Sequence, residues 1–365
     1  FMVQVVGWSD QDESYTSAVG GRSYGEFDQK SASEIHVKGE TKLDNGITVG
    51  MRVEFEADSP NGDNGASGGR AFDESFMYVS SATLGKLELG STKGPAWSMG
   101  HRGPNATLVG INAGDVQPNV WLAVPAAVNA RTNAAVTGGR DVDDVNRINY
   151  ISPRFMGFGV GLSYVPDSNY SDVANGTLPN NSTTGGGGRY TSYTVAYDDT
   201  LFGVKVGADV HAAHREGTIA NPGKLGGDTN YYGGGLNLGY AGFTVGGSYE
   251  RILNKTAQDA AQSNGAGAVD ATIVSFDGHK WDAGISYATG PYKVSFTYTK
   301  GENQGLVGTR GDDEYKEWVL GGNYNLGAGV DFNAALFYGN YGDEATAAAN
   351  NNDGYGVQAG ILLSF

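Results

Sequence analysis

The chain has 365 residues, among them 59 Gly and 21 Tyr but no Cys, and its formal net charge is −16. The absence of Cys excludes disulfides and thiolate metal sites, and a negative charge without a basic stripe argues against nucleic acid as a partner. The longest apolar run, residues 120–128, contains Pro125 and is far shorter than the ~20 residues of a membrane-spanning helix. Because one Gly- and Tyr-rich texture covers residues 1–365, we expect a single all-β domain with many tight turns.

Alternating apolar and polar residues define the predicted strands, beginning with the first hairpin. Residues 35–43 and 47–56 each carry uncharged, mostly apolar side chains on one face and polar or charged side chains on the other. The pattern returns further along the chain, at residues 243–249, 292–298 and 355–365. Leu362 is the only apolar residue on the polar face of the last segment.

Short turn signals and long polar loops alternate along the chain. Seven short connections are predicted, at Asn45-Gly46, Leu84-Gly85, Phe155 to Gly157, Asp199-Thr200, Ala241-Gly242, Gly290-Pro291 and Gly327 to Gly329. Together with eight long loops they join sixteen strands, and aromatic residues bracket most of the short turns. The third long loop, residues 93–145, is oversized, and loops of this length in a compact fold are usually functional.

Two architectures explain strands with one apolar and one polar face. In a soluble sandwich the apolar face packs on a second sheet, whereas in a membrane barrel it faces lipid and the polar face lines a pore. Segments of about ten residues match a tilted membrane-spanning strand better than a sandwich strand. With aromatic residues at the segment ends, they predict a sixteen-stranded antiparallel transmembrane β-barrel.

Three features carry a resemblance to the Gram-negative general diffusion porins: the sixteen-strand alternation, the oversized third loop and the segment Arg147-Ile-Asn-Tyr-Ile-Ser-Pro-Arg-Phe155. The terminal Phe365 resembles the family's outer-membrane assembly signal, and the overall texture is closest to α-proteobacterial porins. The resemblance implies short periplasmic turns, long outer loops and a third loop folded into the lumen to narrow the pore. The Pro-Glu-Phe-Gly-Gly tip of enterobacterial third loops is missing, and Gly110 to Asp115 is its nearest match in character.

The same resemblance implies what the protein does and what surrounds it. We expect an integral outer-membrane homotrimer in contact with lipid and lipopolysaccharide. Small polar solutes and ions would cross it by passive diffusion, with no cofactor required.

The register of the first hairpin predicts which charges lie on the pore wall. A three-residue turn at 44–46 puts Lys38 opposite Arg52 and His36 opposite Glu54, all facing the lumen. Because like charges repel, we expect acids to face the basic pair. The third loop offers four: Asp115, Asp141, Asp143 and Asp144.

These charges lead to a predicted pore constriction formed by Lys38, Arg52, Asp115, Arg147 and Lys205. A basic wall facing an acidic loop would set a transverse field that orients dipolar solutes and filters ions. The alternative is ordinary solvation of a polar lumen. Because the net charge is −16, we expect weak cation selectivity.

Two acid clusters are candidate calcium-binding sites. Asp141, Asp143 and Asp144 resemble part of a calcium loop but lack the sixth-position Gly and the distal Glu of an EF-hand. Asp312-Asp313-Glu314 is a second cluster on an outer loop. The alternative for both is solvated surface acids.

Three other functions compete with a general diffusion channel. An outer-membrane barrel enzyme such as a lipase needs a Ser-His pair, and no Ser is tied to a His by the sequence pattern. A soluble calcium-binding, lectin-like sandwich does not explain the long apolar faces. A substrate-specific sugar or anion porin is the nearest rival in mechanism, although sugar porins have eighteen strands and an aromatic slide.

Overall fold

The computed structural model describes residues 1–20, 26–56, 72–108, 121–125, 127–128, 144–166, 188–216, 228–254, 262–263, 269–270, 277–304 and 311–365. Within these ranges, sixteen antiparallel strands close into one barrel, each hydrogen-bonded to its neighbours in chain order. The sequence prediction of a sixteen-stranded barrel is confirmed.

The strands of the barrel are mostly eight to sixteen residues long. Their bounds are β1 Met2–Gln11, β2 Phe27–Lys42, β3 Thr48–Glu56, β4 Phe72–Ser81, β5 Gly85–Thr92, β6 Val145–Ile151, β7 Phe158–Val165, β8 Tyr190–Leu201, β9 Val204–Arg215, β10 Thr229–Tyr240, β11 Phe243–Asn254, β12 Gly278–Thr289, β13 Tyr292–Gln304, β14 Asp312–Gly327, β15 Val330–Gly342 and β16 Asn352–Leu363. Two further strands of two residues each, Gln262–Ser263 and Val269–Asp270, pair with each other in the loop between β11 and β12.

The helices of the described residues lie in the loops. The described ranges contain α1 (Glu13–Ala18), α2 (Pro95–Met99) and a 3₁₀ turn at Ala348–Asn350. Among the described residues, no helix is long and apolar enough to cross a membrane.

The predicted turns match the hairpins of the barrel, with one exception. The first hairpin has the predicted register, with Lys38 opposite Arg52 and His36 opposite Glu54. The turn predicted at Asp199-Thr200 is wrong, because β8 continues to Leu201, which pairs with Val204. The chain reverses instead at Phe202-Gly203, both of which have positive φ.

The type of side chain on the outer surface of the barrel changes along the strands, from the short turns to the long loops. Close to the short turns, aromatic rings pair across strands, as in Tyr292–Tyr324 with centroids 4.8 Å apart. Above them lie exposed aliphatic and aromatic side chains, such as Leu320 and Phe296. Close to the long loops a second aromatic row follows, formed by Trp281, Tyr298, Trp318 and Tyr338. Two aromatic rows around an apolar belt are typical of a barrel that spans a bilayer.

An apolar cluster inside the barrel fixes the third loop to the wall. Trp121, Leu122 and Val128 of the loop pack against inward side chains of β1, β14 and β15, which include Val3, Val5, Val319 and Phe337. Leu362, the apolar residue that breaks the alternation of β16, packs against this same cluster. Its position on the inner face therefore contributes to seating the loop.

Substitutions of Gly46 and Gly85 test how tightly the short turns are packed. Both have a positive φ, but a Cβ on Gly85 would lie 2.3 Å from the carbonyl oxygen of Ile151, whereas a Cβ on Gly46 would meet nothing within 4 Å. We expect Gly46→Ala to lower the free energy of unfolding by about 1 kcal/mol, the strain of left-handed backbone alone. Gly85→Ala should lower it clearly more. Urea denaturation of the two variants in detergent measures this, and equal losses would contradict the packing argument.

Candidate functional site

The third loop enters the barrel through α2. A Cβ on Gly161 of β7 would lie 2.3 Å from Pro95, so this glycine lets the helix approach the wall closely. Pro95 occupies the first position of α2, where a missing backbone N–H leaves no hydrogen bond unmade. From α2 the loop follows the inner wall across β8, β9 and β12 to β14.

His101 fastens the start of the loop to β8 and β9. Its backbone N–H donates to Asp209 Oδ1 at 2.6 Å, and its Nδ1 lies 3.2 Å from the same oxygen. Its Nε2 lies 2.8 Å from Asp198 Oδ1. Gly235 makes room for this contact, since a Cβ there would lie 1.9 Å from the carbonyl oxygen of His101. The hydrogen bond to Asp209 raises the pKa of His101 above its usual value, although burial works against it.

The next residues of the loop are hydrogen-bonded to β12 and β13. The backbone N–H of Gly103 donates to the buried carboxylate of Asp282. The N–H of Ala106 donates to Ser295 Oγ at 2.8 Å, and Thr297 Oγ1 donates to the carbonyl oxygen of Pro104 at 2.9 Å. Backbone groups of the loop are thus satisfied by inward polar side chains of the strands.

The far part of the described loop is held by β1 and β16. Trp121 Nε1 donates to Gln358 Oε1 at 2.8 Å, and Asn352 Nδ2 donates to the carbonyl oxygen of Ala123 at 2.6 Å. The N–H of Ala123 donates to Gln11 Oε1 at 2.8 Å. The wall of β6–β10, β12–β16 and β1 therefore contacts the described parts of the third loop.

The described residues leave the lumen open on the opposite side, along β2–β5. A cavity of about 1160 Å³ lies there, between these strands and the base of the third loop. Charged side chains dominate its lining: Glu34, His36, Lys38, Arg52, Glu54, Asp73, Glu74, Lys86, Glu88, Lys93 and Asp144. A water-filled space between a charged wall and an inserted loop can conduct ions and polar solutes.

Arg52 lies at the centre of the charges on this wall. Its guanidinium contacts the carboxylate of Glu54 on its own strand, and its Nη1 lies 3.6 Å from Glu74 Oε2 on β4. The exposed Lys38 lies directly opposite on β2. The described carboxylates nearest to Arg52 thus come from the strands, whereas the sequence predicted them in the third loop.

Lys93 joins the base of the third loop to the wall. Its Nζ, at the start of the loop, lies 3.5 Å from Asp73 Oδ2 on β4 and 3.6 Å from Asp144 Oδ1 at the end of the loop. Glu74 accepts hydrogen bonds from Thr92 Oγ1 at 2.8 Å and from the Lys93 N–H at 3.1 Å. These contacts fix the rim of the cavity next to Arg52.

The other predicted constriction residues lie in different places. Arg147 faces inward on β6 but is only 3% exposed, behind Gly94, so it does not line the open lumen. Lys205 is exposed and lies beside the turn at Phe202-Gly203, at the mouth of the barrel. Asp115 lies outside the described residues.

Two groups of described residues could hold a metal ion. In one, Glu34, His36 and Glu54 offer ligand atoms within 4.8 Å of one another; in the other, Asp313, Asp343 and Glu344 do so. The second group contains Asp313 from the predicted outer acid cluster. Of the acids predicted to bind calcium in the third loop, Asp141 and Asp143 lie outside the described residues, whereas Asp144 pairs with Lys93. Calcium binding there stays a prediction.

Sequence reasoning missed Glu74, Glu88 and the His101–Asp209 contact. Glu74 and Glu88 face inward on β4 and β5, as their alternation with the exposed Met77 and Leu89 would have indicated. No local signal indicates this contact, because His101 and Asp209 are 108 residues apart.

A closed antiparallel barrel with an apolar outer belt, a charged lumen and a loop folded inside defines a channel of the outer membrane. Comparison with protein families agrees, since a family model described as Gram-negative porin matches residues 3–346. The chain belongs to the Gram-negative porin family, and it is an integral outer-membrane diffusion channel.

Solved structures support the same fold. The chain is similar to the anion-selective porin from Comamonas acidovorans, with 18% identity, a TM-score of 0.60, and coverage of 100% of this chain and 99% of that one. It is similar to the trimer form of OmpT of Vibrio cholerae, with 12% identity, a TM-score of 0.57, and coverage of 98% and 97%. For OmpF of Salmonella typhi in complex with daunomycin, the identity is 12%, the TM-score 0.57 and the coverage 99% and 97%. Comparison with curated protein sequences finds no match.

The attachment of the third loop should depend on the protonation of His101. Because the pKa of His101 is raised in the folded state, protonation contributes stability in full below its unfolded pKa of about 6.5. That contribution is lost as the pH rises through the raised pKa. We expect the wild type to exceed His101→Gln in thermal stability most at acidic pH, with a gap that narrows as the pH rises. Unfolding midpoints across a pH series measure this, and a gap independent of pH would show that charge at His101 is not involved.

Proposed function

We propose that this protein is a passive, weakly cation-selective diffusion channel for small hydrophilic solutes and ions, and not an enzyme. The observation that carries the proposal is the cavity of about 1160 Å³ along β2–β5, lined largely by charged side chains. Conduction through it requires no cofactor. Planar-bilayer recording tests the proposal: large, discrete, roughly ohmic steps are expected, and correctly folded protein without channel activity would refute it.

Cation preference is supported by the balance of charge around the cavity. Six carboxylates line it, against four Lys and Arg side chains, which leaves an excess of two negative charges with His36 neutral. A negative lining raises the local concentration of cations and lowers that of anions. The preference is weak because most of these charges are paired.

We expect a transverse electric field across the lumen, between the basic pair Lys38 and Arg52 and the acids that face this pair. Glu54 and Glu74 are the described acids beside Arg52, and Lys38 is exposed to the lumen. Asp115 is retained as the proposed acid of the third loop. Dipolar solutes crossing this region would orient along the field.

An anion-selective or substrate-specific porin is the second candidate function. Lys38 and Arg52 lie side by side on the open wall, which favours anions locally. The structure from Comamonas acidovorans is of an anion-selective porin, but at 18% identity the likeness extends to the fold alone. Reversal potentials under a salt gradient separate the two candidates.

An enzyme is less well supported. Within the hydrogen bonds of the described residues, the ring nitrogens of the five His contact carboxylates or, for His214, the amide of Asn230. A Ser hydrolase needs a Ser hydroxyl at one of these nitrogens.

We also propose that the channel is a homotrimer whose contacts involve β1, β2 and the closing strand. The outward face of β1–β2 carries Gln4, Gln29 and Ser31, with Gln29 Nε2 donating to Gln4 Oε1 at 2.9 Å. Polar side chains facing lipid are costly, so this face is better suited to protein contact. The neighbouring strands offer the small Ala359 and Ala334 in the same cross-strand row, which permits close approach of another copy.

Lipopolysaccharide and lipid headgroups are the proposed partners of the outer rim. Lys300 and Lys316 face outward directly above the aromatic row of Tyr298 and Trp318. Both remain partly exposed, at 22% and 32%, although they pair with Glu302 and Glu314. Basic side chains at headgroup depth can bind lipid phosphates.

Replacing Arg52 tests the role of the basic wall. Arg52→Gln removes one of the four cations, so we expect stronger cation preference and higher conductance. Reversal potentials and single-channel conductance measure both. The control is Lys205→Gln at the barrel mouth, which should change both values less, because the Debye length at physiological salt is about 8 Å. Anion preference in the wild type, or equal effects of the two variants, would contradict the proposal.

Cross-linking tests the trimer, and the natural absence of Cys makes it specific. Gln29→Cys should give covalent dimers and trimers with a flexible bis-maleimide in mild detergent, because this face meets another copy. Val294→Cys is the matched control, since Val294 belongs to the same cross-strand row as Gln29 but lies on β13. Cross-linking of both variants alike, or of Val294→Cys alone, would exclude the proposed interface.

A further inference from the structure

Glu34, His36 and Glu54 form a compact group on the open wall of the lumen. Glu34 and His36 face inward two residues apart on β2, and Glu54 lies directly opposite His36 on β3. The carboxylate of Glu34 contacts His36 Nε2, and Glu54 Oε1 lies 3.5 Å from His36 Nδ1. The imidazole is therefore placed between two carboxylates.

We propose that this group binds a divalent transition-metal ion of the Zn²⁺ class from the lumen. A ring nitrogen of His36 and one oxygen from each carboxylate lie within 4.8 Å of one another. Ligands about 2.0–2.2 Å from a zinc ion lie up to about 4 Å apart, so rotation of the His36 and Glu side chains brings both carboxylates to one ring nitrogen and completes the site. One imidazole with two carboxylates suits zinc and its neighbours, whereas Ca²⁺ and Mg²⁺ prefer oxygen ligands alone.

The surroundings of the group allow an ion to enter. The His36 side chain is 25% exposed to the cavity, so water can reach the ion and complete its coordination. The second metal-binding candidate among the described residues, Asp313 with Asp343 and Glu344, contains carboxylates alone. The imidazole is what distinguishes the lumen site and gives it selectivity for transition metals.

Arg52 is the competing cation, because its guanidinium contacts Glu54. Its Nη1 also lies 3.6 Å from Glu74 Oε2, on the side away from His36. When a metal ion takes Glu54, Arg52 can keep a carboxylate partner by turning to Glu74. Metal binding therefore changes the carboxylate partner of Arg52 from Glu54 to Glu74 and leaves the guanidinium paired.

Metal binding would change the charge of the wall along β2–β5. A bound divalent ion adds two positive charges beside Lys38 and Arg52, which repels cations and favours anions. Zinc should therefore lower conductance and shift the reversal potential toward anion preference. This consequence rests on the proposed channel function, whereas binding itself does not.

Titration calorimetry of the full chain in detergent, with zinc chloride as the ligand, tests binding without reference to conduction. We expect saturable binding at one site per chain, weakened roughly tenfold or more in His36→Gln. His279→Gln is the matched control, because within the described part of the chain His279 pairs with one carboxylate, Glu302 at 3.2 Å, and the variant should bind zinc like the wild type. Magnesium chloride should not compete.

Equal zinc affinity in the wild type and His36→Gln, effective competition by magnesium, or no saturable binding would each overturn the proposal. Heat-dependent gel mobility shows whether a variant is folded, and Glu34→Gln gives the same test if His36→Gln does not fold. Bilayer recordings with zinc then test the effect on conduction separately from binding. Zinc binding by a protein that forms no channels would refute the proposed function and leave the metal site standing.

Discussion

The structure depends on one constraint: in a bilayer, every backbone N–H and C=O group must find its hydrogen bond within the protein, because an unmade bond in hydrocarbon costs several kcal/mol. The barrel meets this constraint by pairing β1 with β16 over ten residues, from Met2 opposite Leu363 to Gln11 opposite Gly354. Closure leaves no free edge and forces each strand to show alternate residues to lipid and to the lumen. The apolar exterior and the polar interior both follow from it.

A polar interior is also what allows a long loop to enter the barrel. Loop backbone carries its own unsatisfied groups, and inward side chains such as Asp209, Asp282 and Ser295 accept their N–H donors. Close approach requires that some inward positions have no side chain at all, which is why Gly161 and Gly235 lie beneath the loop. Part of the high glycine content therefore serves the inner surface, in addition to the turns.

The sequence was sufficient for features that follow from a period of two. Strand number, the first-hairpin register and the inward position of Arg52 could be predicted because one face had to be free of charge. The turn after β8 was misplaced because Asp199-Thr200 is a stronger turn signal than Phe202-Gly203, and cross-strand pairing decided otherwise. The anchors of the third loop could not be predicted, since His101 and Asp209 lie 108 residues apart and meet only once the barrel closes.

The wall along β2–β5 shows how the inside of such a barrel can hold many charges that are largely paired with one another. The side chains of Glu54 and Glu74 are only 3% and 6% exposed, and burial of a carboxylate is tolerated when a cation is close. Arg52 is that cation for both, so the three groups act at a distance as a single net negative charge. In the proposed channel, selectivity then depends on exposed charges such as Lys38, whose field salt screens over about 8 Å. Pairing therefore holds these side chains in place, and in the proposed channel only the small excess of negative charge discriminates between ions.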